Sequence, residues 1–388
     1  MGQRIERLPR NAERQLLALV DLIYAAATDE RQWPVVLESL VKMTASDVAY
    51  LSLYDPAAQR EVVAKGFGGD ASLKAEYEQH WARQNVYMLA NAASMQTGTL
   101  VVGEAAVPDA EVKRTAFYNE FLTRMRVMHH TGICLFAEQS VRAFLIVDQR
   151  IGRSSHSREE IRLFRTLTPH LQRAVAVQRR LQQIELERSA TQAALDHLPV
   201  GIVVLGAGGS VRSSNAAANA AFDEHDGLSL SAAGLQTAHV TQATELRRLI
   251  ESACAPASVK PGGGWLQVPR PSGRRPFVVL VSPLRLPGRA LGLDAPKAIA
   301  FVTDPERTPE ALERTLARLY GLTPAESIVT AQLLAGASVA ELAEQLSITE
   351  HTARTHMKRI FDKMCVRTQA ELMRVLLKGV AGLRSDDR

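Results

Sequence analysis

Apolar positions recur along this chain in two periods, and the switches between them mark out its elements. Leu16, Leu19/Val20 and Ile23, then Trp33, Val36/Leu37 and Leu40, have the spacing of two amphipathic helices broken near Thr28-Asp29. The period then shortens. Residues 47–54 (DVAYLSLY) and 61–66 read as strands joined by a turn at Asp55-Pro56, and the glycines of 66–69 as a further turn. Segments 73–86 and 112–124 read as helices, and 98–103, 128–137 and 141–149 as strands. Ser157-Arg-Glu-Glu160 has the form of a capping box, in which a hydroxyl and a Glu three positions later satisfy the free amides of a first helical turn. It opens a long helix to about His197. Along it Phe164, Leu167, Leu171, Ala174, Gln178 and Leu181 alternate steps of three and four. Such a stripe suits parallel pairing of two chains, or else packing on its own domain. Pro169 predicts a kink or a fresh start within it.

A second strand-rich block follows. Residues 198–205 and 210–214 read as strands around a glycine turn, Asn215 caps a short helix to Phe222, 228–255 reads as largely helical, and 264–269, 275–284 and 297–303 as strands. Residues 256–264 and 288–296 are Pro/Gly/Ala-rich loops. Arg270, Arg274, Arg275, Arg285 and Arg289 cluster on the hairpin between them and read as a solvated surface. Residues 308–319 form a helical connector.

The C-terminal end is the most regular part. Thr323-Pro-Ala-Glu326, Ser338-Val-Ala-Glu341 and Thr368-Gln-Ala-Glu371 are three capping boxes, and Pro324 takes the first helical position, where its missing donor costs nothing. Val339, Leu342, Ala343 and Leu346 give one buried helix face. Only Ser347 and Ile348 separate that helix from the next, the spacing of a helix-turn-helix. The next helix, 349–364 (TEHTARTHMKRIFDKM), is capped by Thr349. At roughly 100° per residue its Ala353, Met357, Ile360 and Met364 form one stripe. Arg354, Thr355, Lys358 and Arg359 lie on the other side. Across 350–367 five Lys/Arg stand against two acids, a cationic outer face over an apolar underside.

Residues 319–384 resemble the LuxR-type helix-turn-helix domain. The match is carried by Leu322-Thr-Pro-Ala-Glu326, Gly336, Glu341-Leu-Ala343, Leu346, Thr352, His356, Ile360-Phe361, Lys363, Val366 and Gln369-Ala-Glu-Leu372. The resemblance implies that 349–364 enters the DNA major groove and that the fourth helix pairs two subunits. It places Arg354, Thr355 and Lys358 at bases. Thr352, His356 and Arg359 become phosphate or packing contacts, and Thr349 and Lys363 are counted among the DNA-binding residues. Ala353, Ser347 and Cys365 depart from the family pattern, which often has Val at the first position and Gly at the other two. Upstream, the order of helices and strands in 1–156 resembles a GAF- or PAS-like sensor domain, and 198–305 resembles a PAS domain. The fold expected is therefore α+β and multidomain: two α/β sensor domains (1–156 and 198–305) joined by a long helix (157–197), a linker helix (306–318), and an all-α four-helix LuxR-type domain (319–388).

Composition narrows this reading. Apolar residues at 46% and charged residues at 22% are those of a globular protein, and a net charge of +5 suits a partner bearing phosphates. Cys134, Cys254 and Cys365 form no paired motif, so neither a disulfide framework nor a zinc site is expected, and a reducing cytoplasm is the default. The polar start reads as neither a signal peptide nor a myristoylation site, and no run is long enough to span a bilayer. No nucleophile–base pair, metal spacing or phosphate loop stands out, so the chain does not read as an enzyme. His129 and His130, adjacent on a strand, point to opposite faces and do not share a metal. Tyr50, Tyr77, Trp81 and Tyr87 read first as core packing and second as the lining of a pocket for a small aromatic or hydrophobic ligand. The expected partners are double-stranded DNA, a second copy, a small-molecule effector and RNA polymerase, with no membrane and no cofactor. The rival reading is an interaction adaptor whose helix-turn-helix no longer binds DNA.

Overall fold

The computed structural model describes residues 10–58, 60–91, 95–138, 141–231, 234–255, 262–285, 295–307 and 312–378. The chain divides into two units, Met1–Leu186 and Glu187–Arg388. The division falls inside one helix, Arg158–Asp196, which opens on the expected box: Glu160 accepts from the Ser157 amide at 2.6 Å. Pro169, where a kink or a fresh start was expected, lies inside that helix and does not begin a new one. No described helix is long and apolar enough to cross a membrane.

The first unit is built on an antiparallel sheet of β1 (Val48–Asp55), β2 (Arg60–Phe67), β3 (Leu100–Val102), β4 (Val127–Ala137) and β5 (Arg142–Arg150), in the order β2-β1-β5-β4-β3. Side chains alternate across a strand, so each strand feeds two layers. On one face Ala49, Leu145 and Val147 meet Leu19, Ile23, Leu37, Leu40, Phe164, Leu167 and Leu171 from the two N-terminal helices and the long helix. Burying each such side chain contributes about 1.5–3 kcal/mol. The Trp33 indole N–H donates to Gln178 at 2.7 Å and pins the layer. Here one expectation is corrected. Phe164, Leu167, Leu171 and Ala174 are fully buried in their own domain and are not free to pair with a second chain. What the helix leaves exposed is Leu181, the last residue of that stripe, with Val177 and Ile184 on either side of it, each 44–46% accessible.

The opposite face of the sheet carries Val48, Tyr50, Ile146 and Asp148 and is covered by short helical segments: Ala71–Gln79, Trp81–Gln84 and Val86–Asn91, then 103–125. The single helix expected over 112–124 is instead a turn at Asp109–Val112 and a π-helical turn Phe117–Leu122, ending at Arg126 with φ +58°.

In the second unit the strands are β6 (Gly201–Leu205), β7 (Val211–Ser214), β8 (Leu228–Ser231), β9 (Gly234–Thr237), β10 (Gly264–Val268), β11 (Phe277–Pro283) and β12 (Ala298–Thr303). The main sheet has the order β10-β11-β12-β6-β7. Its first two strands and its last three repeat the topology of the first sheet. Asn215 is the hub where the helix Ala216–Asp223 begins. Its side chain accepts from the Ile202 and Ala218 amides and donates to the Leu195 and Val200 carbonyls, so a buried amide is fully satisfied. Gly201 allows this approach, since a Cβ there would lie 2.9 Å from the Ala218 backbone.

Two expectations fail in this domain. The stretch 228–255 is not largely helical: β8 and β9 pair antiparallel before the helix Val240–Cys254. Arg270 is not solvated. Its guanidinium is fully buried, lies over the Phe277 ring and binds Asp226 at 2.7 Å, Asp304 at 2.9 Å and Glu224 at 2.7 Å. Arg289, the greater part of the two Pro/Gly-rich loops and the start of the connector lie outside the described residues.

Candidate functional site

The helices Pro324–Leu334, Val339–Gln345, Glu350–Lys363 and Gln369–Lys378 surround a core of their own, with Leu322, Val329, Leu342, Ile360, Leu372 and Leu376 at its centre. Local chemistry starts each one. Thr323 and Ser338 make complete capping boxes with Glu326 and Glu341. Thr349 accepts from the Thr352 amide at 3.1 Å with no acid in support. At the fourth helix Thr368 accepts from the Glu371 amide, while the Glu371 carboxylate reaches Arg367 rather than Thr368.

The first three of these helices also end alike. The amides of Ala337, Ile348 and Val366 donate to carbonyls five residues back, on Gln332, Ala343 and Phe361. That closure needs a left-handed residue just before the donor. Gly336 (φ +94°), Ser347 (φ +53°) and Cys365 (φ +52°) supply it. Two of the three departures from the family pattern are thus non-glycine residues in a glycine conformation.

In the helix Glu350–Lys363 the inner stripe is buried as expected: Ala353 and Ile360 are inaccessible, and Met357 and Phe361 pack on the core. Arg354, Thr355, Lys358 and Arg359 are exposed on the outer side. Glu350 stands 3.4 Å from the Arg354 guanidinium. Lys358 and Arg359 have no ion-pair partner among the described residues. The Thr355 hydroxyl donates to the His351 carbonyl, and the Thr349 and Thr352 hydroxyls lie 2.9 Å apart. His356 is half-buried, with a buried Nδ1 lacking a partner among the described residues.

Lys363, expected among the DNA contacts, makes an ion pair within the domain. Its ammonium is bound by Glu326 (2.6 Å) and the Gly321 carbonyl (2.9 Å), so it ties the helix to the rest of the domain. Burial pushes the Glu326 carboxyl up, but Lys363 and the Thr323 amide outweigh that and hold it below its ordinary value.

Residues 321–376 match the family described as bacterial regulatory proteins, luxR family. They form a LuxR-type helix-turn-helix domain. No curated protein matches the chain. Solved structures similar to it include the VqsR LBD domain of Pseudomonas aeruginosa, 14% identical, covering 44% of this chain and 97% of that one at a TM-score of 0.36. Another is the GAF domain of a phosphoenolpyruvate-protein phosphotransferase from Coxiella burnetii, at 15% identity, 44% and 98% coverage and a TM-score of 0.33. A third is the GAF domain of a putative sensor histidine kinase from Pseudomonas syringae pv. tomato, at 13% identity, 45% and 95% coverage and 0.28.

Apart from the LuxR-type domain, the other sequence candidates lie in the first unit around a cavity of about 420 Å³. Tyr50, Tyr77 and Tyr87 line it. Trp81 does not. It packs behind the wall against Phe117 and Phe121, with its indole N–H on Glu76 at 2.9 Å. Tyr77 donates to the fully buried Glu61 and receives from Asn85 at 2.8 Å; burial and the neighbouring carboxyl push the phenol well above its ordinary pKa. Burial, with Asp148 beside it, does the same to Tyr50.

Sequence reasoning missed His130 and Asp148. Both line the cavity, with His130 Nδ1 2.8 Å from Asp148 Oδ1 and the imidazole stacked on Tyr87. The signal was present, since Asp148 is a carboxylate in alternation with the apolar Phe144 and Ile146 of the same strand. His129, by contrast, approaches Glu104 at 3.4 Å and has no part in the cavity.

Proposed function

We propose that the chain is a transcriptional regulator that binds double-stranded DNA as a dimer and responds to a small molecule held in the first unit. One observation carries the DNA-binding part: a matched LuxR-type domain presents Arg354, Thr355, Lys358 and Arg359 together on an exposed helix face, with Lys358 and Arg359 free of ion pairs among the described residues. Two such helices, set by a dimer, would enter successive major grooves of an inverted repeat. Arg354 and Lys358 would read base edges, preferring guanine, with Thr355 beside them. Arg359, Thr349 and Thr352 would contact phosphates and supply the salt-dependent share of affinity. His356 would orient the helix from its flank. The exposed row Val177, Leu181 and Ile184 supports pairing, since its steps of four and three are those of a helix seam. The lined cavity supports sensing, and an effector there acts only by binding one arrangement of the protein better than another.

Selection of bound duplexes from random oligonucleotides, followed by gel shifts at graded salt, tests the reading. An enriched inverted repeat bound with a steep salt dependence is expected. Recovery of unselected sequence with no shift of any duplex would make the chain an interaction adaptor instead.

A further inference from the structure

The cavity of the first unit is specific enough to say what kind of head group it takes, an inference that rests on the sensing role proposed above. Its walls are apolar or aromatic, with Leu73, Phe117, Phe121 and Met125 among them, and its volume of about 420 Å³ lies within the ordinary range for small-molecule sites. Its polar groups are mostly already engaged. Tyr77 donates to Glu61, and Asn85 spends its amide N–H on Tyr77 and its carbonyl on the Tyr87 and Met88 amides. Tyr87 donates to the Met128 carbonyl at 2.9 Å.

Among the polar atoms of the lining that remain open, two are neighbours on the sheet. Asp148 uses Oδ1 for His130, and neither its Oδ2 nor the Tyr50 hydroxyl has a hydrogen-bond partner among the described residues. Val48 pairs with Asp148 and Tyr50 with Ile146, so the Tyr50 and Asp148 side chains are diagonal neighbours on one sheet face. A carboxylate oxygen accepts only, and a phenol can accept or donate.

We infer that the cavity binds a compact, largely apolar molecule whose head is a hydrogen-bond donor, an O–H or N–H, received by Asp148 Oδ2 beside Tyr50. An anionic head would face a carboxylate and would leave that oxygen without a donor. Lys65 and Lys74 also belong to the lining, but Lys74 is exposed and Lys65 stands 3.6 Å from Glu30. Among the described residues they are the lining's only lysine or arginine side chains, so the head group is the point to test.

Calorimetric titration of the full chain with para-butylphenol, para-butylanisole and para-butylbenzoate holds the body constant and changes only the head. The phenol is expected to bind roughly ten- to a hundredfold tighter than the anisole, the range for a hydrogen bond to a charged acceptor, and the benzoate most weakly. Asp148→Asn, or the gentler Tyr50→Phe if the former disturbs folding, should shrink the phenol's advantage. Equal binding of phenol and anisole, tighter binding of the benzoate, or no binding of any probe overturns the inference. A gel shift on the same preparation separates the two levels. Protein that shifts duplex but does not discriminate the probes loses the cavity assignment alone. Protein that discriminates them but shifts no duplex keeps the cavity assignment and loses the regulator.

Discussion

Glu326 accepts the Lys363 ammonium at 2.6 Å while the same carboxylate closes the capping box of Thr323. One buried acid thus starts the first helix of the LuxR-type domain and holds the C-terminal end of the helix that carries Arg354 and Lys358. Lys363→Met would leave a carboxylate with a side-chain accessibility of 3% short of its counter-charge. The expected cost is about 1–3 kcal/mol of domain stability, read from urea unfolding, with base preference on the selected operator unchanged. A relaxed base preference at intact stability would return Lys363 to the DNA.

Lys358 should behave in the opposite way. It is exposed and makes no ion pair among the described residues, so Lys358→Ala should leave the unfolding curve in place. Affinity for the selected operator should fall by about 1–3 kcal/mol, with altered preference at one base position. An unchanged gel-shift midpoint and unchanged selection would remove it from the readers.

The turn residues give a prediction of the other sign. Ser347 and Cys365 hold φ near +50° without being glycine, a conformation costing about 1–2 kcal/mol per L-residue. Glycine removes that strain and returns part of the gain as unfolded-chain entropy, so Cys365→Gly should stabilise the domain by up to about 1 kcal/mol. A higher denaturation midpoint is expected, and a lower one would mean that the Cys365 side chain contributes a contact worth more than the strain.

These turns also show where the sequence was legible. Capping boxes, the apolar stripe of 353–364 and the glycine-like positions are local signals within a few residues, and the C-terminal domain was readable for that reason. Arg270 was misread because its partners Asp226 and Asp304 lie 44 and 34 residues away and only the folded sheet brings them together. The β8–β9 pair was lost for a different reason. Its strands have four residues each, and the strong helical period of Leu246, Leu249 and Ile250 just beyond coloured the whole stretch. For the cavity, three tyrosines were identified by residue type. Nothing in the spacing separated them from Trp81, which serves the same aromatic cluster from behind.

The pairing surface can be tested apart from the DNA. The residues of the expected stripe up to Ala174 are inside the first unit, so substitution there would unfold it. Leu181 and Ile184 are nearly half exposed. Leu181→Glu with Ile184→Glu should leave the fold intact by circular dichroism and shift the mass by light scattering from dimer towards monomer. A dimer that persists would move the contact elsewhere.

His156 sets a pH limit on the first unit. It is buried between the Ser46 and Thr131 hydroxyls, at 3.0 and 2.8 Å, and edge-on to Phe164. Burial pulls its pKa below the ordinary 6.5, against the pull of Glu160 and Asp148. The folded imidazole therefore resists a proton that the unfolded chain accepts. Its contribution is fully present above about pH 6.5 and declines as pH falls below that value, until the folded ring also protonates. Denaturation followed by the fluorescence of Trp33 and Trp81 should show a falling midpoint between pH 7 and pH 5.5 (roughly the window in which an unfolded histidine titrates). His156→Asn, which can keep a hydrogen bond to either hydroxyl but cannot titrate, should flatten that decline at some cost in stability at neutral pH. An equally steep decline in the variant would assign the effect to another group of the unit.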